Sequence, residues 1–125
     1  MTIADTDVLI DYLSGAEPGA SRVSQAIENG ALHTTAITRF ELLSGARTNR
    51  MEAVIRDLLD LIPTVPLDEY GADRAALVRR SLEKSGTSIG MADSLIAGIV
   101  LVHNGILLTR NLKHFERVTG LRLDR

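Results

Sequence analysis

Between Met91 and His103 the chain is apolar almost all round, and that stretch constrains the fold more than any other. A helix on a protein surface carries one apolar stripe, whereas a helix apolar on every side has to be enclosed by other elements. Gly98 interrupts the run and His103-Asn104-Gly105 closes it. It therefore falls well short of the roughly 20 residues of a membrane span, and the enclosing layers must come from the protein itself. One charge breaks the pattern, Asp93 in the first turn.

The remaining segments supply those layers. Thr2 to Thr6 is short and β-compatible, and Val8, Leu9, Ile10, Tyr12 and Leu13 then crowd together before Ser14-Gly15, which reads as strand, helix, stop. A second helix is expected over about Gly19 to Glu28, ended by Asn29-Gly30, then a strand at Leu32 to Thr34 and two helices at Thr38 to Ala46 and Met51 to Leu61. Ile62 to Pro66 is β-like but interrupted by Pro63, and Pro66-Leu67-Asp68 opens a long helix that Ser85-Gly86-Thr87 ends. Ile106 to Thr109 is a further strand, and Leu121 to Leu123 one more at the edge. Short strands alternating with helices predict an α/β fold, a mostly parallel central sheet with helices on both faces, in a single domain over residues 1–125.

Composition narrows the function classes. A formal net charge of −2 with 24% charged residues advertises neither a nucleic-acid binder nor a membrane-surface protein in bulk, so any such role rests on local charge. The absence of Cys excludes disulfides, thiolate zinc sites and a Cys nucleophile. No basic segment followed by a long apolar stretch opens the chain, and a cytoplasmic protein is expected. Two Phe, two Tyr and no Trp argue against an extended aromatic platform for single strands.

Three carboxylates, Asp5, Glu41 and Asp93, each interrupt or abut an apolar segment. A carboxylate in apolar surroundings is normally protonated, paired or metal-bound, and Mg²⁺ prefers oxygen ligands. Ligands of open α/β sheets bind beyond the carboxyl ends of the strands, where Asp5 falls. Each has a plainer alternative: Asp5 and Asp7 as helix caps, Glu41 on a solvated helix face, Asp93 favouring the positive end of its helix.

In order along the chain, Ala4-Asp5-Thr6-Asp7-Val8-Leu9-Ile10, Thr38-Arg39-Phe40-Glu41-Leu42-Leu43-Ser44-Gly45-Ala46, Ile89-Gly90-Met91-Ala92-Asp93-Ser94-Leu95-Ile96-Ala97 and Leu108-Thr109-Arg110-Asn111-Leu112-Lys113-His114-Phe115-Glu116 resemble the PIN-domain ribonucleases, and among them the VapC-type toxins of toxin–antitoxin pairs. The resemblance spans nearly the whole chain. It implies a Mg²⁺-dependent endoribonuclease, with Mn²⁺ the alternative ion, in which Asp5, Glu41 and Asp93 are catalytic and hold the metal directly or through water. Thr6, Asp7, Ser94, Thr109 and Asn111 would support them. It also implies a homodimer and a VapB-type antitoxin whose C-terminal segment lies near the acidic site, with DNA binding left to the antitoxin. Many relatives carry a further acid in or just after the Thr-x-Asp/Asn stretch; here that stretch offers Asn111, with His114 and Glu116 nearby. RNA contacts are expected from Arg39, Arg110, Lys113, His114 and Arg117, holding phosphates without reading bases.

Two other readings compete. A catalytically degenerate PIN fold would serve only as an interaction module, and the three carboxylates speak against it. A receiver-type phosphoacceptor domain needs an Asp ending a middle strand and a Lys ending a late one, whereas Asp57 lies in a helical pattern and Lys113 follows a turn.

Overall fold

The computed structural model describes residues 1–125. Its elements run β1 (Thr2–Ala4), α1 (Thr6–Ser14), α2 (Gly19–Glu28), β2 (Leu32–Thr35), α3 (Ala36–Ser44), α4 (Asn49–Leu61), β3 (Thr64–Val65), α5 (Glu69–Lys84), α6 (Met91–Val102), β4 (Ile106–Leu108), α7 (Leu112–Phe115) and β5 (Arg122–Leu123). The five strands form one sheet in the order β3-β2-β1-β4-β5, and every neighbouring pair is parallel.

Strand β1 is central, with Ile3 beside His33 of β2 and Leu107 of β4. Alternate side chains of a strand face opposite sides, and the two cores divide accordingly. Ile3 and Leu107 pack with Val78, Ile96, Ile99 and Phe115 on the α5–α6 side, while Ala4 and Leu108 pack with Leu9, Val23, Leu42 and Leu58 on the α1–α4 side. Helix α6 is enclosed as its composition requires, with Ile96, Ala97, Ile99 and Val100 at most 1% exposed.

Local chemistry sets the helix ends. Asp5, Thr35, Thr48 and Asp68 each stand at an N-cap, accepting from the backbone N–H of Thr6, Thr38, Met51 and Gly71. Because Thr35 is the cap, α3 begins at Ala36, two residues before the expected start at Thr38. The β-like stretch from Ile62 to Pro66 contracts to Thr64–Val65, since Pro63 and Pro66 have no N–H to give a ladder. Helix α7 is one short turn that periodicity does not reveal.

Candidate active site

The strand order reverses between β1 and β4, and the carboxyl ends of those strands place Asp5 and Thr109 side by side. This is the crevice in which open parallel sheets hold ligands. The Asp5 N–H donates to the Leu108 carbonyl at 2.9 Å, carrying the β1–β4 pairing into the site. Asp5 is 6% exposed. One carboxylate oxygen accepts from the Thr6 N–H at 2.8 Å and the other from the Thr109 hydroxyl at 2.7 Å. Asp5 thus caps α1 and also stands in the crevice, so the two readings of it do not exclude each other.

Asp7 reaches across the chain rather than capping α1. Its Oδ2 accepts from the Arg110 N–H at 3.0 Å and lies 3.3 Å from the Thr109 hydroxyl, and its Oδ1 is buried without a hydrogen-bond partner. Glu41, half-buried on α3, is tied to the same turn: its Oε1 accepts from the Thr6 hydroxyl at 2.6 Å, which stands 3.0 Å from the buried Thr38 hydroxyl. Asp93, on the first turn of α6, lies with its Oδ2 3.5 Å from Nδ1 of His114. That imidazole nitrogen is also 2.8 Å from the Asn111 side-chain nitrogen.

The electrostatics are unbalanced toward negative charge. Burial first, then the charge of Asp7 and more weakly that of Asp93, push the Asp5 carboxyl up from 3.8 to about 7, against the opposing hydrogen bonds from Thr109 and Thr6. Burial also raises the Asp7 carboxyl, with the Arg110 N–H the largest opposing influence. As placed, no three His, Asp or Glu side chains stand where they could enclose a metal ion by themselves.

A family described as PIN domain matches residues 2–121. The chain belongs to the PIN-domain family. It is of the VapC type: a ribonuclease VapC10 of Mycobacterium tuberculosis is 34% identical over 122 residues, covering 98% of this chain and 91% of the relative. A tRNA(fMet)-specific endonuclease VapC of Shigella flexneri is 29% identical over 124 residues, covering 96% and 93%. A DNA-bound VapBC structure from Salmonella typhimurium superposes with a TM-score of 0.86 at 25% identity, covering 98% of this chain and 96% of that one.

Within this PIN domain the expected site residues fall into three groups. Asp5, Thr6, Asp7, Glu41 and Thr109 form one hydrogen-bonded set. Asp93, Asn111 and His114 form a second contact group whose charge is felt at Asp5. Ser94 stands apart, its hydroxyl donating to the Gly90 carbonyl of its own helix at 3.0 Å. Of the residues offered where relatives carry a further acid, His114 approaches Asp93, Asn111 contacts His114, and Glu116 pairs with Arg125 at 3.0 Å. Among the expected RNA contacts, Arg110 is paired with Asp11 at 2.8 Å and Arg39 donates to Thr64 at 3.3 Å. Lys113 and Arg117 carry no ion pair.

Sequence reasoning missed Thr38 and Asp11. Asp11 is 8% exposed, and a Cβ on Gly19 would lie 2.5 Å from its Oδ2, so Gly19 is needed for α2 to approach it. The available signal was spacing, since Asp11 follows Asp7 by one turn on the same helix face.

Proposed function

We propose that this chain is an endoribonuclease of a toxin–antitoxin pair, using Mg²⁺ or Mn²⁺ held by Asp5, Asp93 and Glu41, directly or through water. The observation that carries the reading is Asp5, an acid buried at the sheet crevice beside further acids, with its carboxyl pushed up to about 7. The residues fit a hard cation by donor type: all oxygen, an excess of negative charge, and a buried Asp7 oxygen with no partner. Mg²⁺ is commonly held by one or two carboxylates with the balance made up by water and substrate phosphate, so a closed protein cage is not required. Bound there, the ion would supply an activated water and neutralise charge developing on the phosphate.

The protein's own groups perform the positioning. Thr109 and the Thr6 N–H fix both oxygens of Asp5, and the Thr6 hydroxyl holds Glu41 against the same turn. His114 stands beside Asp93 and is itself contacted by Asn111, while staying partly open to solvent. The relatives named as ribonuclease and endonuclease support RNA as substrate. Incubating purified, partner-free protein with mixed RNA should give cleavage with Mg²⁺ or Mn²⁺ and none with chelator. Asp93→Asn should remain folded and lose more than about 100-fold in rate, because even groups supporting a metal's ligands are worth about 10–100-fold. Equal cutting in chelator would remove the metal from the mechanism, and full activity in Asp93→Asn would remove Asp93 from the site.

The antitoxin surface we assign to the groove beside Glu41, a cleft of about 350 Å³ lined by Ile10, Leu13, Leu42, Met51 and Ile55. Its rim is apolar yet open, with Ile10 49% and Met51 45% exposed. VapBC complexes among the structural relatives support such a partner, and DNA binding we leave to the antitoxin. Met51→Glu should weaken a complex with a VapB-type antitoxin at least about tenfold, roughly 1.4 kcal/mol, with cleavage by the free protein unchanged. Titration calorimetry checks this, and an unaltered affinity would move the partner elsewhere.

A further inference from the structure

On the opposite face of the sheet from the antitoxin groove lies a second cleft, of about 210 Å³, lined by Arg74, Leu77 and Ser81 of α5, Leu101 of α6, and Arg117 and Thr119 after α7, among others. An adjoining hollow shares Leu77 and Ser81 and adds Arg80 and Lys84. Neither has an Asp or Glu in its lining. Of the chain's fourteen Lys and Arg, five are ion-paired, and four of the other nine, Arg74, Arg80, Lys84 and Arg117, line this trough. Of the neighbouring acids, Glu83 is engaged by Arg79 and Glu116 by Arg125, while Glu69 and Asp73 on α5 carry no ion pair and stand outside both linings. In a chain of net charge −2, so many free cations on one face mark a local anion-binding surface.

Three further observations select the ligand. The cleft of about 210 Å³ has room for little more than one base or phosphate, and the adjoining hollow of about 620 Å³ extends it along α5, an elongated shape that suits a longer polymer. Its lining is partly apolar, with Leu77, Leu101 and Val118 beside the arginines. Tyr70 is 66% exposed and precedes Arg74 by one turn of α5, in the spacing 70, 74, 77, 81 and 84 that keeps residues on one helix face. A cationic track with an exposed ring is how single strands are held without sequence preference, the ring stacking a base while the cations follow the phosphates. The track also leads to the candidate active site: Arg117 follows His114 by three residues, and Leu101 lies eight residues along α6 from Asp93, about 12 Å at the helical rise.

We infer that this trough is an RNA exosite, a second binding surface that holds the single-stranded flank of a substrate whose scissile bond lies at Asp5 and Asp93. The inference takes its ligand from the ribonuclease reading but its geometry from the trough alone. The test uses the full chain with Asp93→Asn to prevent cutting, and compares it with the same protein also carrying Arg74→Gln, Arg80→Gln and Lys84→Gln. Binding of a long single-stranded RNA and of a dinucleotide is followed by fluorescence anisotropy across a salt series, with thermal unfolding confirming that the exposed substitutions leave the fold intact.

Affinity for the long RNA should fall at least tenfold, and the slope of log affinity against log salt should shrink by about 2, as expected for three lost phosphate contacts on a single strand. Dinucleotide binding should not change. Tyr70→Ser should weaken the long RNA severalfold without altering the slope. RNA held in the trough by a wild-type protein that cuts nothing would support the exosite while sinking the ribonuclease reading. Equal affinities and slopes for the long RNA would overturn the exosite, and if the triple variant then lost binding to polyglutamate, the trough would belong to an acidic protein segment instead.

Discussion

Asp5→Asn should abolish metal-dependent cleavage and, with no metal present, make the protein more stable above pH 7. Both effects come from one carboxyl. In the folded protein it titrates near 7, against 3.8 for the ordinary group. Between those values the native state binds more protons than the unfolded one, so the metal-free protein loses stability as pH rises from about 4 to about 7 and regains none above. At about 1.4 kcal/mol per unit, the deficit at pH 8 is on the order of 2–4 kcal/mol. Asn removes the charge but keeps the cap, because its amide oxygen accepts the Thr6 N–H as well as a carboxylate does. Urea unfolding from pH 5 to pH 8 in chelator should therefore show a falling midpoint for the wild type and a flatter one for Asp5→Asn. Added Mn²⁺ should raise the wild-type midpoint and leave the variant unmoved, since an ion stabilises only the protein that binds it. A variant less stable than wild type at pH 8 would mean that the buried carboxylate is already compensated by something other than a metal.

Gly98→Ala should cost about 2–3 kcal/mol of stability, although alanine is the better helix former by nearly 1 kcal/mol. A Cβ at Gly98 would lie 2.6 Å from both the Ala75 nitrogen and the Gly71 carbonyl oxygen, and 2.7 Å from the Ala75 Cβ. Two of these atoms are backbone, so no side chain can swing aside and α5 must be pushed off α6. The displacement reaches both proposed regions, because α6 carries Asp93 and α5 carries Arg74. Thermal unfolding should show a drop of roughly 10 °C, and RNA binding and cleavage should weaken together. A variant as stable as wild type would show that the two helices have room to separate.

The enclosed helix was legible because an apolar surface on every side of Met91 to Val102 admits only one environment. The chain order of strands and helices was legible for a similar reason, since turn residues punctuate it. Strand lengths were not, because β3 and β5, of two residues each, exist by pairing with a neighbour rather than by any alternation of their own. Asp5 could be placed because the end of a first strand is a fixed point of such sheets. The bonding of Asp7 could not, since its partners at Thr109 and Arg110 lie about a hundred residues away. Ser94 follows Asp93 directly and is nonetheless turned onto Gly90, a choice set by helix geometry that proximity in sequence does not disclose.

The central place of β1 sets when the acidic crevice can assemble. Asp5 meets Thr109 only through the β1–β4 pairing, a contact between residues 104 positions apart. Contacts of such long range carry the largest loop-closure cost and form only with much of the intervening chain already ordered. A partly synthesised chain holds Asp5 and Glu41 but has no β4 to seat the first against Thr109. Assembly of the acidic crevice therefore coincides with completion of the fold, and an incomplete chain carries its acids without the means to use them.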